Sequence, residues 1–239
     1  MAHYVALIRG VAPSTPPRNN ACILPVIESL GFAPVLSVLS SGNYVFAAEA
    51  CDTNELQSRI EAALLQQLGA SLMTIVRSQA QIETIIDQSP LREVPHKRGS
   101  YQLVTFFKEP VELGFELPYQ LEGKFCQLVG CVDGALFTLT DNSAHHTVDV
   151  MGWLERHYTH DLTSRTPLTL QKILNKMQDL GLALFLPRSY ATERWFSLGG
   201  GVSHGTIVRR GSVLRPPSGR VIKWNTTLKG KKDRSSFLR

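Results

Sequence analysis

Three short polar stretches carry residue types that are suited to binding an anion. They are Arg9-Gly10, Ser41-Gly42-Asn43 and Thr163-Ser164-Arg165. Arginine presents a planar fork of N–H donors that matches a carboxylate or a phosphate, and Ser, Gly and Asn form tight turns whose backbone N–H groups can point at an anion. If the fold brings these stretches together, a small phosphorylated or carboxylate ligand would bind to Arg9, Gly10, Ser41, Gly42, Asn43, Thr163 and Arg165.

The same residues also have a purely structural interpretation. A Gly-Asn dipeptide commonly connects the two strands of a hairpin. Arg9 and Arg165 would then brace loops by bonding carbonyl oxygens, and Thr163 would cap the last helix. Both interpretations are open at the level of the sequence.

The C-terminal part of the chain is strongly basic. Residues 1–182 hold 13 Lys and Arg against 18 Asp and Glu, a net charge of −5, whereas residues 183–239 hold 12 against 2, a net charge of +10. Cations bind phosphates, and aromatic rings stack on unpaired bases. The sequence therefore predicts a nucleic-acid-binding extension, with RNA favoured, that uses Arg188, Arg194, Trp195, Arg209, Arg210, Arg215, Arg220, Lys223, Trp224, Lys229, Lys231, Lys232 and Arg234.

These features lead to two functional hypotheses. The first is a non-enzymatic module that binds nucleic acid, or belongs to a ribonucleoprotein, through the basic extension. The alternative is an enzyme or sensor that binds a small anion between the three polar stretches. The extension also has plainer interpretations, as a solubilising tail or as an arm that folds back onto the acidic part of the chain.

Metal and nucleophilic chemistry have little support in the sequence. Four of the seven histidines fall within sixteen positions, but the spacing of His145, His146, His157 and His160 is poor for a metal site and favours solvated side chains. There is no Gly-x-Ser-x-Gly motif and no Cys/His signature of a nucleophile. We expect no metal and no cofactor.

The composition favours a soluble cytoplasmic protein without a membrane partner. Hydrophobic residues make up 43% of the 239 residues, yet no apolar run reaches the roughly 18 residues of a membrane span, and the first residues do not resemble a signal peptide. The four cysteines, Cys22, Cys51, Cys126 and Cys131, lack paired zinc-like spacing. They are expected to be buried thiols in a reducing compartment.

The apolar periodicity predicts an α+β fold. Residues 3–77 read as β-α-β-β-α-β, the ferredoxin-like order, with a helix that Asp52 or Thr53 caps and that ends near Gly69. Strands at 101–107, 125–129 and 135–140 follow, then helices at 148–157 and 168–180, separated by a polar turn at 161–167. The predicted domains are a ferredoxin-like half at 1–80, a second small α+β half at 81–182, and a mostly irregular basic extension at 183–239, in which residues 206–214 could form a short hairpin.

Three motifs together resemble the domain of unknown function 1697 family. They are Val5-Ala6-Leu7-Ile8-Arg9-Gly10, Ser41-Gly42-Asn43-Tyr44-Val45-Phe46, and Leu154-Glu155-Arg156 followed by Thr163-Ser164-Arg165-Thr166. The resemblance covers about residues 1–180 and implies an α+β fold without implying an activity. Two family features are missing here: the glycines that usually follow Arg9-Gly10, and the Asn-Trp-Asn that usually follows the arginine at Arg165.

Overall fold

The computed structural model describes residues 1–122, 125–143 and 148–185, and gives no side-chain detail for 182–185. All of these residues fall within one compact unit. The elements, in chain order, are β1 (Ala2–Ile8), α1 (Asn20–Glu28), β2 (Val35–Ser37), β3 (Asn43–Ala48), α2 (Thr53–Leu68), β4 (Thr74–Ser78), α3 (Gln79–Asp87), β5 (Tyr101–Phe107), β6 (Tyr119–Gln120), β7 (Cys126–Val132), β8 (Ala135–Thr140), α4 (Val150–His157), β9 (Leu162–Arg165) and α5 (Pro167–Phe185).

The first sheet is antiparallel and has the strand order β2-β3-β1-β4. β1 pairs with β4 from Tyr4 opposite Ser78 to Ile8 opposite Thr74. The prediction that residues 4–8 and 72–76 belong to one sheet is therefore confirmed, although the second strand begins two residues later than predicted. The end of β1 lies between the start of β3 and the start of β4, and this places Arg9 beside the turn that precedes β3.

Both faces of the first sheet are covered, which explains the uninterrupted apolar run of β1. Tyr4, Ala6 and Ile8 pack in one cluster with residues of α1 and α2. Val5 and Leu7 pack on the opposite face with residues of α3 and α5. A strand that is buried on both faces has no polar side to alternate with its apolar side.

Local capping signals set the ends of two helices. The Asp52 carboxylate accepts hydrogen bonds from the backbone N–H groups of Asn54 and Glu55 at the start of α2, and Gly69 ends that helix in the left-handed conformation with φ of 63°. Ser78 and Gln81 form a capping box at the start of α3. The predicted bounds of α2 are confirmed because both of its signals are local.

The second sheet is also antiparallel, with the order β6-β7-β8-β5-β9. The two-residue turn Asp133-Gly134 joins β7 to β8, with φ of 47° and 72°. This geometry is typical of an Asp-Gly hairpin turn, and it joins the strands that the sequence predicts at 125–129 and 135–140. One face of the sheet shares an apolar cluster with the first sheet and α5, while the other packs against α4.

The predicted polar turn at 161–167 is wrong. Leu162–Arg165 forms β9, which pairs with β5 from Phe107 opposite Leu162 to Val104 opposite Arg165. Leu162 is completely buried, and the hydroxyl oxygens of Thr105 and Ser164 lie 2.7 Å apart across the two strands. Four residues of mostly polar character become a strand because a neighbouring strand supplies the hydrogen bonds, which their own sequence does not reveal.

The mixed α+β class is confirmed, with two antiparallel sheets and five helices in the described ranges. The predicted domain boundaries stay predictions. Within those ranges, no helix is both long enough and apolar enough to cross a membrane.

Candidate functional site

Arg165, at the end of β9, uses all five of its N–H groups to bind other parts of the chain. Nε donates to the Asn43 side-chain oxygen at 2.5 Å, and Nη1 donates to the Thr163 hydroxyl at 2.7 Å. The other acceptors are backbone carbonyl oxygens at 2.8, 3.2 and 3.3 Å, those of Ser164, Ile8 and Gly42. One side chain therefore joins the second sheet to the first sheet and to the Ser41-Gly42-Asn43 turn.

The Ser41-Gly42-Asn43 turn, which accepts hydrogen bonds from Arg165, is held in place by its own hydrogen bonds. The amide nitrogen of the fully buried Asn43 donates to the Val38 carbonyl at 3.0 Å and to the Ser41 hydroxyl at 3.2 Å. These two bonds orient the Asn43 side-chain oxygen towards Arg165. The turn is thus a preformed acceptor for a guanidinium.

Gly42 is required at its position for two reasons. Its φ of 78° is rarely adopted by residues with a side chain, and a Cβ atom there would lie 2.3 Å from the Ile8 carbonyl oxygen and 2.8 Å from Cγ2 of Val11. Both distances are far below van der Waals contact. The absence of a side chain lets the turn approach the end of β1 closely.

The charge of Arg165 has no acidic counterpart among the residues that the structure describes. No carboxylate in that part of the chain forms an ion pair with it. Burial lowers the pKa of the Arg165 guanidinium to about 10. Carbonyl, amide and hydroxyl oxygens therefore compensate the buried charge.

Arg9 makes a different set of contacts, with α4 and with the segment that leads into β9. Its Nη1 donates to the His160 carbonyl oxygen at 2.6 Å, and its Nη2 forms an ion pair with the Glu155 carboxylate. The other Glu155 oxygen lies 3.5 Å from Nδ1 of the exposed His160. The Arg9 side chain is 34% exposed, so part of the guanidinium faces solvent.

The structure brings most of the seven predicted anion-binding residues together. Gly42, Asn43 and Thr163 contact Arg165 directly, and Ser41 is bonded to Asn43. Arg9 and Gly10 follow Ile8, whose carbonyl accepts from Arg165, and Gly10 adopts a φ of 75°. The observed contacts are those of braced loops, and anion binding at these residues stays a prediction.

One detail of the structural interpretation is wrong, since Thr163 does not cap the last helix. The Thr163 hydroxyl accepts a hydrogen bond from Arg165, whereas the Thr166 hydroxyl accepts one from the backbone N–H of Thr169 in the first turn of α5. The partner of Arg9 was missed as well. Glu155 lies 146 positions away in the sequence, and no local signal connects the two residues.

The remaining predicted sites divide between the described and undescribed parts of the chain. All thirteen predicted nucleic-acid-binding residues, the hairpin at 206–214, His145 and His146 lie outside the described residues. His157 bonds the Trp153 carbonyl and stacks on the Trp153 ring. In the ranges that are described, no cluster of three or more His, Cys, Asp or Glu side chains could hold a metal ion.

Of the four cysteines, only Cys126 is buried. Cys22 and Cys51 are partly exposed free thiols, and Cys131 is an exposed free thiol. The prediction of buried thiols is therefore right for one of the four. Cys51 donates to the Glu55 carboxylate, and this hydrogen bond raises the pKa of its thiol.

The N-terminal part of the chain is similar to a known family. Residues 1–115 match the family described as "Protein of unknown function (DUF1697)". The match confirms the predicted resemblance over that range. It includes Arg9 and the Ser41-Gly42-Asn43 turn, while Arg165 and Glu155 lie beyond it.

A solved structure with the same general fold extends the comparison beyond the DUF1697 match. It is that of a conserved bacterial protein, SP0830, from Streptococcus pneumoniae, with a TM-score of 0.57 and 16% sequence identity. The alignment covers 74% of this chain and 99% of that one. At this level of identity the similarity concerns the fold alone. No curated protein matches the chain.

Proposed function

We propose that the protein is a non-enzymatic module that binds nucleic acid, RNA in particular, through its basic extension at residues 183–239. The observation that carries the proposal is the separation of charge, +10 in the extension against −5 in residues 1–182. Phosphate attracts the extension and is repelled by the rest of the chain. Affinity should therefore reside in the extension.

The contacts of the two best-placed arginines among the described residues support this assignment. Arg165 donates all its N–H groups to protein oxygens, and the charge of Arg9 is balanced by Glu155. Neither side chain offers a complete guanidinium fork to a phosphate. In the extension, Trp195 and Trp224 add rings that can stack on unpaired bases, which favours single-stranded RNA over duplex.

The alternative function is an enzyme or sensor that binds a small phosphorylated or carboxylate ligand between the Arg9-Gly10, Ser41-Gly42-Asn43 and Thr163-Arg165 loops. Partial exposure of the Arg9 side chain favours it, because Glu155 holds the guanidinium in a fixed position at the surface. A thermal-shift screen of phosphorylated metabolites and carboxylates tests this alternative. Ligand-dependent stabilisation that is lost in Arg9→Gln would support it.

Salt dependence tests the nucleic-acid proposal. If six to eight extension cations contact phosphates, the slope of log K against log salt is expected to be about −5 to −7 on duplex and about −4 to −6 on single-stranded RNA. The measurement is a fluorescence anisotropy titration of the full chain with random-sequence RNA at several salt concentrations. Absence of salt-dependent binding would refute the proposal, whatever the thermal-shift screen finds.

We further infer a ferredoxin-like classification for residues 1–78 and a cytoplasmic location. The strand order β2-β3-β1-β4, with α1 and α2 packed on one face, supports the first inference. The free thiols of Cys22, Cys51 and Cys131 support the second, since reduced cysteines are typical of a reducing compartment.

A further inference from the structure

Arg77, at the end of β4, is a second largely buried arginine, but its donors are mostly unused. Nη1 donates to the Val76 carbonyl and Nη2 to the Phe107 carbonyl, both at 2.9 Å. Nε is shielded from solvent and has no acceptor among the described residues. Two of five N–H groups are thus satisfied, in contrast to the five satisfied N–H groups of Arg165.

The guanidinium of Arg77 is also electrostatically undercompensated. It lies over the Phe106 ring, 5.9 Å from the ring centroid, and forms no ion pair within the described ranges. Burial lowers its pKa, and the Asp133 carboxylate partly raises it again. A carboxylate bound at the remaining N–H groups of Nη1 and Nη2 would supply acceptors and the negative charge that the described residues do not.

A cavity of about 300 Å³ lies beside Arg77. The ends of β4 and β5, the first turns of α2 and α3, and the turn between β7 and β8 meet there. The polar side chains that line it are Asn54, Arg77, Gln81, Lys108, Glu109 and Asp133. Its volume is at the lower end of the range for small-molecule sites.

Asn54 and Gln81 line the cavity, and the oxygen of each side-chain amide is already used. The Asn54 side-chain oxygen accepts from the Gln57 amide, and the Gln81 side-chain oxygen accepts from the Ser78 backbone N–H. The amide nitrogen of each side chain has no acceptor among the described residues, so both can bind a carboxylate together with Arg77. The charge of Lys108 is already balanced, because its ammonium bonds both Glu61 oxygens at 2.7 Å.

Two carboxylates at the rim determine which anion fits. Glu109 and Asp133 are exposed, and neither forms an ion pair with a described residue. A phosphate dianion would meet two like charges at short range. A ligand with a carboxylate at one end and an ammonium at the other would meet donors on one side and acceptors on the other.

We propose that this cavity, named here the Arg77 cavity, binds a free α-amino acid. Its carboxylate bonds Arg77, Asn54 and Gln81, and its ammonium bonds Glu109 and Asp133. Neutral and basic amino acids bind better than acidic ones, because a second ligand carboxylate would face the rim acids. The proposal is independent of nucleic-acid binding, since none of these residues belongs to the basic extension.

The test is calorimetric titration of the full chain with glycine, alanine, leucine, lysine and glutamate, and with N-acetyl-alanine and alanine methyl ester. At least one neutral or basic amino acid should bind, and each blocked alanine should bind at least about tenfold more weakly than alanine because it lacks one of the two charges. If none of the four neutral and basic amino acids binds at about 10 mM, if glutamate binds more tightly than all four, or if the blocked forms bind as well as alanine, the proposal is overturned.

Two substitutions assign binding to the cavity. Arg77→Gln is expected to weaken amino-acid binding at least about tenfold.

Asp133→Asn preserves the turn, because Asn tolerates the observed φ of 47°, and should reduce the preference for alanine over N-acetyl-alanine. Asp87→Asn is the matched control, since Asp87 is an exposed acid at the end of α3 that does not line the cavity. Equal effects of Asp133→Asn and Asp87→Asn would exclude this site, even if Arg77→Gln fails to fold.

Discussion

Replacing Arg165 by Met is expected to lower the free energy of unfolding by about 3–5 kcal/mol. Met retains much of the side-chain volume but removes five donors. The Asn43 side-chain oxygen and the carbonyls of Ile8 and Gly42 would lose hydrogen bonds, and Asn43 is completely buried. Urea unfolding followed by fluorescence measures the change.

Two further variants isolate the role of the guanidinium at position 165. Arg165→Lys should recover only a small part of the lost stability, because an ammonium has three donors and cannot reproduce the planar fork. Arg92→Met is the matched control, since Arg92 is exposed and makes a single long bond of 3.5 Å to the Asp87 carbonyl; it should change stability by less than about 0.5 kcal/mol. A cost below about 1 kcal/mol for Arg165→Met would contradict the bracing role.

Gly42→Ala is expected to destabilise the protein by about 2–4 kcal/mol. The new Cβ would carry the strain of a φ of 78° and would clash with the Ile8 carbonyl oxygen at 2.3 Å. Relief of the clash requires the turn to move away from β1, which would also lengthen the hydrogen bond from Arg165 to the Gly42 carbonyl. Unfolding in urea again provides the measurement.

Gly31→Ala separates the strain of the positive φ from the clash with a neighbouring atom. Gly31 has a similar φ of 81°, but nothing lies within 4 Å of the position that its Cβ would occupy. It should therefore cost only about 1 kcal/mol, the strain of the left-handed conformation. Equal costs at the two positions would show that close approach to β1 is not what requires Gly42.

The elements with strong local signals could be predicted from the sequence. β5 and β8 have the predicted bounds, 101–107 and 135–140, because their apolar residues are dense and their ends are marked by turn residues. Asp52 and Gly69 delimit α2 for the same reason, and Asp133-Gly134 defines a hairpin without reference to the rest of the chain.

The elements that depend on distant partners could not be predicted. β9 is four residues long, and its strand conformation depends on pairing with β5, about 60 positions earlier. β6 has only two residues and depends on β7 in the same way. Propensity and periodicity carry little information about pairing of this kind.

The candidate site was partly predictable for a related reason. The positions of arginine, glycine and asparagine predicted which loops form the site, because the backbone conformations and hydrogen-bond donors of these residues depend on the residue type alone. The hydrogen bond between Arg165 and Asn43 joins residues 122 positions apart. Nothing in the local sequence shows whether the Arg165 donors are used by such a distant residue or are free to bind a ligand. Arg77 was not singled out, because a single arginine after the apolar run Ile75-Val76 is also what an edge strand with a solvated end would have.

The measurement that most directly tests the proposed function compares RNA affinity of two full-length variants with the same change in charge. One carries Gln at Lys229, Lys231, Lys232 and Arg234, and the other at the exposed residues Arg18, Arg92, Lys97 and Lys172. If the extension binds phosphates, the first variant should bind at least about tenfold more weakly, and its salt slope should be shallower by up to about 3 to 4, while the second retains wild-type affinity and slope. Equal losses in the two variants, or a loss only in the second, would contradict nucleic-acid binding by the extension.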